Sequence, residues 1–334
     1  MSSYDVLCIG SATMDFIARP SRSERIDINH LDRAEHLMCL TFASKTLLED
    51  LTYECGGSAG NSATVMTLLG ADVKILTAVG DDTFSEMIVD DLQKRGIGTE
   101  YVQRIFGKKS SVGISLLSGN GEKSTLIYRG ANDFLAPSHL TPKMVQDCET
   151  VFITSLTSRI NYALFLRAIH LARKYEKKIV FAPSITMLKR FPRRLAHLHQ
   201  KFDLCVMNYE EGMYYTRQSG IENVLRAIPG VARVITKDRE GSYALDRSGY
   251  YHAHSTHDKI VDTTGAGDAF TGALTFEYGR TGDIASAISA GAAMASIKLS
   301  RLGPRVDLTP AQAKDALARS RKKYGAERLG PGIK

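Results

Sequence analysis

Along the chain, short apolar runs alternate with longer stretches whose apolar residues recur at helical spacing. A strand over Tyr4–Ile9 comes first, then a Gly-containing turn, a helix over Ser58–Leu69 and a strand over residues 73–79. The rhythm resumes with strands at 151–153, Lys178–Phe181, 204–207 and 233–236, and with a helix near 161–174. Helical patterning then fills 269–278, Ile284–Leu299 and 310–324. This order predicts an α/β fold around a mostly parallel, helix-covered sheet.

Two stretches break the rhythm. Residues 16–54 are mixed and polar, and 111–129 reads as two strands around Gly119-Asn120-Gly121. Together they predict a small separate sheet. With no internal repeat or Pro-rich linker, residues 1–334 read as a single domain with an inserted lid, and the Gly- and charge-rich residues 325–334 read as a frayed tail.

A length of 334 residues with 43% hydrophobic content suffices for a large core. The start lacks a basic segment followed by an apolar one, and apolar runs are only strand-sized, so a soluble, cytoplasmic protein is expected. Five scattered cysteines without a C-x-x-C pair indicate neither a disulfide framework nor a zinc site. The formal charge of +7 is spread along the chain. It suits an anionic ligand, whereas the basic run 319–323 lacks interleaved aromatics and reads as a solvated helix face, so no nucleic-acid partner is expected. His252 and His254 alternate in a strand-like run and read as an ordinary strand; His257 follows them.

The most informative segment is Val261-Asp-Thr-Thr-Gly-Ala-Gly-Asp-Ala-Phe270, a Gly-rich turn opening a helix. Amides at Gly265, Ala266 and Gly267 can face an anion, because glycine lets the main chain approach closely and a helix N-terminus favours negative charge. Beside that hole, the Asp268 carboxylate can accept the proton of an attacking hydroxyl. The plainer reading makes Asp262 or Asp268 a helix cap.

The two aspartates around T-T-G-A-G resemble the ribokinase (PfkB) family. Other segments resemble it in the same order. Gly56-Gly57-Ser-Ala-Gly-Asn61 matches the glycine pair plus Asn at the start of a helix, and Asp15 after the first strand matches an acceptor-binding Asp. Asn208-Tyr-Glu-Glu211 follows an apolar strand and resembles the N-x-x-E element, while Thr236 and Gly241 match a nucleotide-binding turn in which Asp238 replaces a frequent Gly. Residues around Ser296 and Gly303 resemble the helix and loop beneath adenine.

The resemblance spans residues 4–305 and implies a three-layer α/β/α ribokinase-like fold with a β lid from parts of 13–55 and 108–130. It further implies ATP and Mg²⁺, with Asn208 and Glu211 organising metal and phosphate. Asp15, Gly56, Gly57 and Asn61 would grip the acceptor, and Thr236, Gly241, Gly267 and Ser296 the nucleotide. A K⁺-like ion would be held by the Asp262 side chain, the Thr264 carbonyl and carbonyls near Gly303. The implied activity is phosphorylation of a small sugar or of a nucleoside ribose by a monomer or homodimer. Phe16, Phe42, Tyr128 and Phe134 are candidate aromatic walls.

Competing functions are weaker. A dinucleotide oxidoreductase lacks G-x-G-x-x-G, and a P-loop kinase lacks G-x-x-x-x-G-K-[ST]. A non-catalytic binder on the same fold is opposed by the presence of Asp268, Asn208, Glu211, Gly265 and Gly267 together.

Overall fold

The alternating apolar runs assemble into one nine-stranded sheet. From one edge its order is Glu327–Gly330, Tyr250–Ala253, Gly241–Leu245, Ala232–Lys237, Leu204–Asn208, Lys178–Phe181, Cys148–Ile153, Tyr4–Ile9 and Val73–Leu76. Pairing is parallel from Ala232–Lys237 to Val73–Leu76 and antiparallel in the remaining pairs. The structure is a computed structural model and describes residues 3–29, 34–118, 123–195, 202–255, 260–301, 303–323 and 325–333.

Strand sequence explains the three layers. Leu7 and Ile9, Val151 and Ile153, and Ile179 and Phe181 enter one apolar cluster with the helix Arg159–Lys174, including Phe165 and Ala168. Their neighbours Cys8, Phe152 and Val180 enter a second cluster with Ala63, Met66, Phe270 and Ile288. Successive side chains point to opposite faces, so continuous apolar strands need helices on both sides. The helices Ser58–Leu69, Ala266–Thr281 and Ile284–Leu299 form the layer that carries the sharpest motif.

The stretches that break the rhythm form a second sheet ordered Lys123–Tyr128, Val112–Leu117, Thr13–Pro20 and Leu48–Gly56. Thr13–Pro20 leaves the central strand Tyr4–Ile9 through Gly10, which puts this sheet at the carboxyl end of the central strands. The expected turn at 119–121 lies outside the described residues. Glu24–Asn29 and Ala34–Cys39 pair separately as a hairpin.

The end of the chain corrects the sequence reading. Residues 325–334 were expected to fray, yet Glu327–Gly330 pairs with Tyr250–Ala253, Ala326 N donates to Ser289 Oγ (2.9 Å), and Ile333 N donates to Asp246 O (2.8 Å). An edge strand offers a row of unpaired backbone groups, and these hold a segment whose side chains carry no periodic apolar signal. The run with His252 is accordingly an inner strand of the sheet.

Candidate active site

Gly265 adopts φ 74°, and a Cβ there would lie 1.9 Å from the Pro304 carbonyl oxygen, so only glycine fits this turn. The helix Ala266–Thr281 starts at once, placing Asp268 in its first turn, while Gly267 borders open space. Asn61 Nδ2 donates to Asp268 Oδ2 at 2.8 Å, and Ser62 Oγ donates to the Asp268 carbonyl at 3.1 Å. Burial pushes the Asp268 carboxyl up to about 6; hydrogen bonds from Asn61 and Ser58 oppose this, and Asp15 adds to it. A carboxylate with that proton affinity is mostly ionised near neutral pH and more basic than an ordinary carboxylate, as a general base requires.

Asp268 and Gly267 line a cavity of about 170 Å³ with Asn208, Glu211 and Thr236. Strands Leu204–Asn208 and Ala232–Lys237 are adjacent and parallel, with Asn208 opposite Thr236, which explains why their carboxyl ends meet there. Roomier clefts of about 380 Å³ beside Arg159 and Arg194, and about 340 Å³ beside Glu24 and Thr263, contain none of these carboxylates. The convergent polar groups that could carry chemistry are in the smaller cavity.

Asn208 and Glu211 form a reciprocal cap: Glu211 N donates to Asn208 Oδ1 (2.8 Å), and Asn208 N donates to Glu211 Oε2 (2.9 Å). Ile185 N donates to Glu211 Oε1 at 2.9 Å. Burial raises the Glu211 carboxyl to about 7 against these two amides, with Glu210 and Asp268 pushing the same way. Two carboxylates facing one cavity, each resisting ionisation, suit a divalent cation bound through water and phosphate.

Asp15 lies on the other flank. Thr13 Oγ1 donates to its Oδ1 at 2.8 Å. A Cβ on Gly56 would lie 2.1 Å from Asp15 Oδ2, and one on Gly113 would lie 2.6 Å from Oδ1, so both glycines exist as room for this carboxylate. Burial raises the Asp15 carboxyl, while Thr13, Arg305 and Lys123 hold it down. Gly57, at φ 89°, brings the helix Ser58–Leu69 against Ser11.

Three cations at the site went unrecognised in the sequence. Arg305, 4% exposed, donates from Nε to Asn61 Oδ1 (3.3 Å) and from Nη2 to Gly56 O (3.5 Å). Lys123 Nζ donates to Thr264 Oγ1 at 2.6 Å, joining the smaller sheet to the Gly-rich turn before Asp268. Lys298 is fully buried beside Asp262. None belongs to a spaced motif, and each reaches the site from a distant part of the chain.

Other expected residues stand apart from the cavity. Gly241 (φ 95°) lies against the Ala253 carbonyl, where a Cβ would approach to 2.2 Å, and Ser296 is half-buried on the helix Ile284–Leu299. Asp238 adopts φ 35°, a left-handed conformation that the glycine frequent at this place would take without strain. Of the candidate aromatics, Phe16 packs against Tyr53 and Phe84, Lys108 Nζ lies over Phe134, and Phe42 is 97% exposed.

Comparison with known proteins supports the same chemistry. The description pfkB family carbohydrate kinase matches residues 4–311. A deoxyribokinase from Salmonella typhi is 28% identical over 257 residues, covering 75% of this chain and 82% of that protein. A 5-dehydro-2-deoxygluconokinase from Bacillus velezensis is 26% identical over 325 residues, 89% of each chain. The crystal structure of adenosine kinase from Sinorhizobium meliloti superposes with TM-score 0.78 at 21% identity, over 94% of this chain and 99% of that one. The chain therefore belongs to the pfkB family of carbohydrate kinases, with the ribokinase-like fold and the ATP-dependent sugar or nucleoside kinase activity of that family.

Proposed function

We propose that the chain transfers the γ-phosphoryl group of ATP to the hydroxymethyl group of a small sugar. The observation that carries this reading is the 2.8 Å hydrogen bond from Asn61 to Asp268, which ties the acceptor motif to the catalytic turn. Asp15 and Asn61 bind ring hydroxyls, and Asp268 takes the proton of the attacking hydroxyl. The amides of Gly265, Ala266 and Gly267 and the helix N-terminus stabilise charge on the transferring group. Thr236, Gly241 and Ser296 serve the nucleotide.

Asn208 and Glu211 hold Mg²⁺ through its water shell, and the ion neutralises phosphate charge. The four-stranded sheet acts as a lid that excludes water from the acceptor. Five free thiols, three of them buried, suit a reducing cytoplasm. Among the described residues no helix is long and apolar enough to cross a membrane.

A sugar acceptor is favoured because the deoxyribokinase and the 5-dehydro-2-deoxygluconokinase, which cover 75% and 89% of this chain, carry sugar-kinase names. The test is ADP release from Mg-ATP with ribose, deoxyribose, fructose, 2-keto-3-deoxygluconate, adenosine, inosine, guanosine and cytidine. Turnover on sugars supports the proposal, turnover confined to nucleosides moves the acceptor to the ribose 5′-hydroxyl, and acceptor binding without ADP release defeats it.

A further inference from the structure

The residues that would hold a monovalent cation do not fit one, because a cation of the protein's own is already there. Asp262 Oδ1 accepts from Thr264 N (2.8 Å) and Thr264 Oγ1 (2.7 Å), and Oδ2 accepts from Gly303 N (3.0 Å). The Lys298 ammonium lies 4.0 Å from Oδ2 and donates to the Arg301 carbonyl at 3.0 Å. Its side chain is fully buried. One end of this arrangement is the loop carrying Asp262, and the other is the loop after the helix Ile284–Leu299, which supplies the carbonyls.

We propose that Lys298 provides, as a tethered ammonium, the positive charge that K⁺ would bring, so that the enzyme works without a monovalent cation. Like charges repel strongly at these separations away from bulk water, so a K⁺ ion and Lys298 exclude one another. Burial lowers the Lys298 ammonium below its ordinary range, and Lys123 acts the same way, while Asp262 and Glu54 hold the charge on it. The ammonium is a positioning group. It fixes the Asp262–Thr264 turn against the loop whose Pro304 carbonyl abuts Gly265, and so sets the entry to the helix that bears Asp268.

This inference rests on the kinase reading, and its test separates the two. Turnover and thermal melting of the wild type are measured in choline, sodium and potassium chloride at matched ionic strength. The expected rates agree within about twofold, whereas Lys298→Met loses roughly tenfold or more in choline and recovers in potassium. Melting should be the same in all three salts for the wild type, and K⁺ should selectively raise it for Lys298→Met. Strong activation or selective stabilisation of the wild type by K⁺ overturns the proposal, as does full activity of Lys298→Met in choline. If neither Lys298→Met nor the smaller Lys298→Ala folds, the wild-type salt series decides. If no acceptor is turned over, the kinase reading fails while the melting curves still judge Lys298.

A second, independent cluster lies at the sheet edge. His252 Nε2 lies 2.7 Å from the Glu240 carbonyl oxygen and donates to it, and Nδ1 faces Glu327 Oε1, 3.4 Å away. His254 Nε2 lies 3.2 Å from the same carboxylate oxygen. Ligand atoms of the three residues all fall within 4.8 Å of one another. In a tetrahedral zinc site with bonds of about 2.0–2.1 Å, neighbouring ligand atoms stand about 3.3 Å apart.

The geometry points to a site for a divalent transition ion of the Zn²⁺ class, with water completing the coordination and the carbonyl of Glu240 orienting His252. It would clamp the C-terminal strand to the sheet. Calorimetric titration of the chelator-treated full chain with Zn²⁺ should show one saturable site, weakened roughly tenfold or more in His254→Ala and in Glu327→Gln. Co²⁺ should give the absorption bands of tetrahedral coordination. Absence of saturable binding, or equal binding by both surface variants, overturns the assignment.

Discussion

Asn61 and Asp268, 207 residues apart in the chain, share a 2.8 Å hydrogen bond at the point where two helices begin side by side. The amide leaves the carboxylate ionisable but aimed. If Asp268 is the base, Asp268→Asn keeps the size and the hydrogen-bonding shape and loses only the proton acceptor. Turnover should fall by roughly two to four orders of magnitude with Mg-ATP affinity little changed. Near-normal turnover, measured by coupled ADP release, would remove Asp268 from that role.

Acid should silence the same group. Burial raises the Asp268 carboxyl to about 6, and only the ionised form accepts a proton. The kcat/KM profile should therefore fall as pH drops through about 6, while wild-type circular dichroism stays native. A profile flat down to pH 5 would show that no such group governs the chemistry.

The contact between Gly113 and Asp15 gives a steric test of the acceptor site. A Cβ at position 113 would stand 2.6 Å from Asp15 Oδ1 and must displace that carboxylate. Gly113→Ala should raise the acceptor KM by roughly 10- to 100-fold, since small misplacements of a positioning group are costly. The KM for ATP should stay unchanged. An unaltered acceptor KM would take Asp15 out of the site.

Glu211 predicts a pH dependence of stability. Its folded value of about 7 lies above the ordinary 4.5, so between these limits the native state binds more protons than the unfolded one. Its contribution is therefore greatest below pH 4.5 and is lost as pH rises through 7. Glu211→Gln removes that slope, even though one of the two amides loses its acceptor at every pH. Melting temperatures across pH 5–8 should converge between wild type and variant toward high pH; parallel curves would contradict the assigned shift. The same variant should need more Mg²⁺ for half-maximal rate.

The proposed lid is tested by hydrogen exchange. Amides from Val112–Leu117 and Lys123–Tyr128 should slow when acceptor and a non-hydrolysable ATP analogue are added together, because Lys123 already reaches Thr264 across the cleft. Protection limited to residues 208–241 and 262–301 would rule out closure by this sheet.

Much of the molecule was legible in the chain. Continuous apolar strands alternating with amphipathic helices determined a helix-covered parallel sheet, because side-chain periodicity is a local property that the backbone must satisfy. The Gly-rich turn that opens the helix Ala266–Thr281 was legible for a similar reason. Gly265 and Asp268 lie within four consecutive residues, so their spacing is fixed covalently, and the cap between Asn208 and Glu211 spans a single helical turn.

What tertiary structure alone decided are the relationships that depend on distant chain segments meeting. Periodicity gave no sign that Arg305 would lie against Asn61, that Lys123 would reach Thr264, or that Lys298 would enter the place of an ion beside Asp262. Each is a long, flexible cation whose partner is chosen by burial and by convergence of strand ends. The terminal strand Glu327–Gly330 was hidden for a related reason: it is held by main-chain hydrogen bonds, which every sequence can offer, and only an available sheet edge determines where they are made.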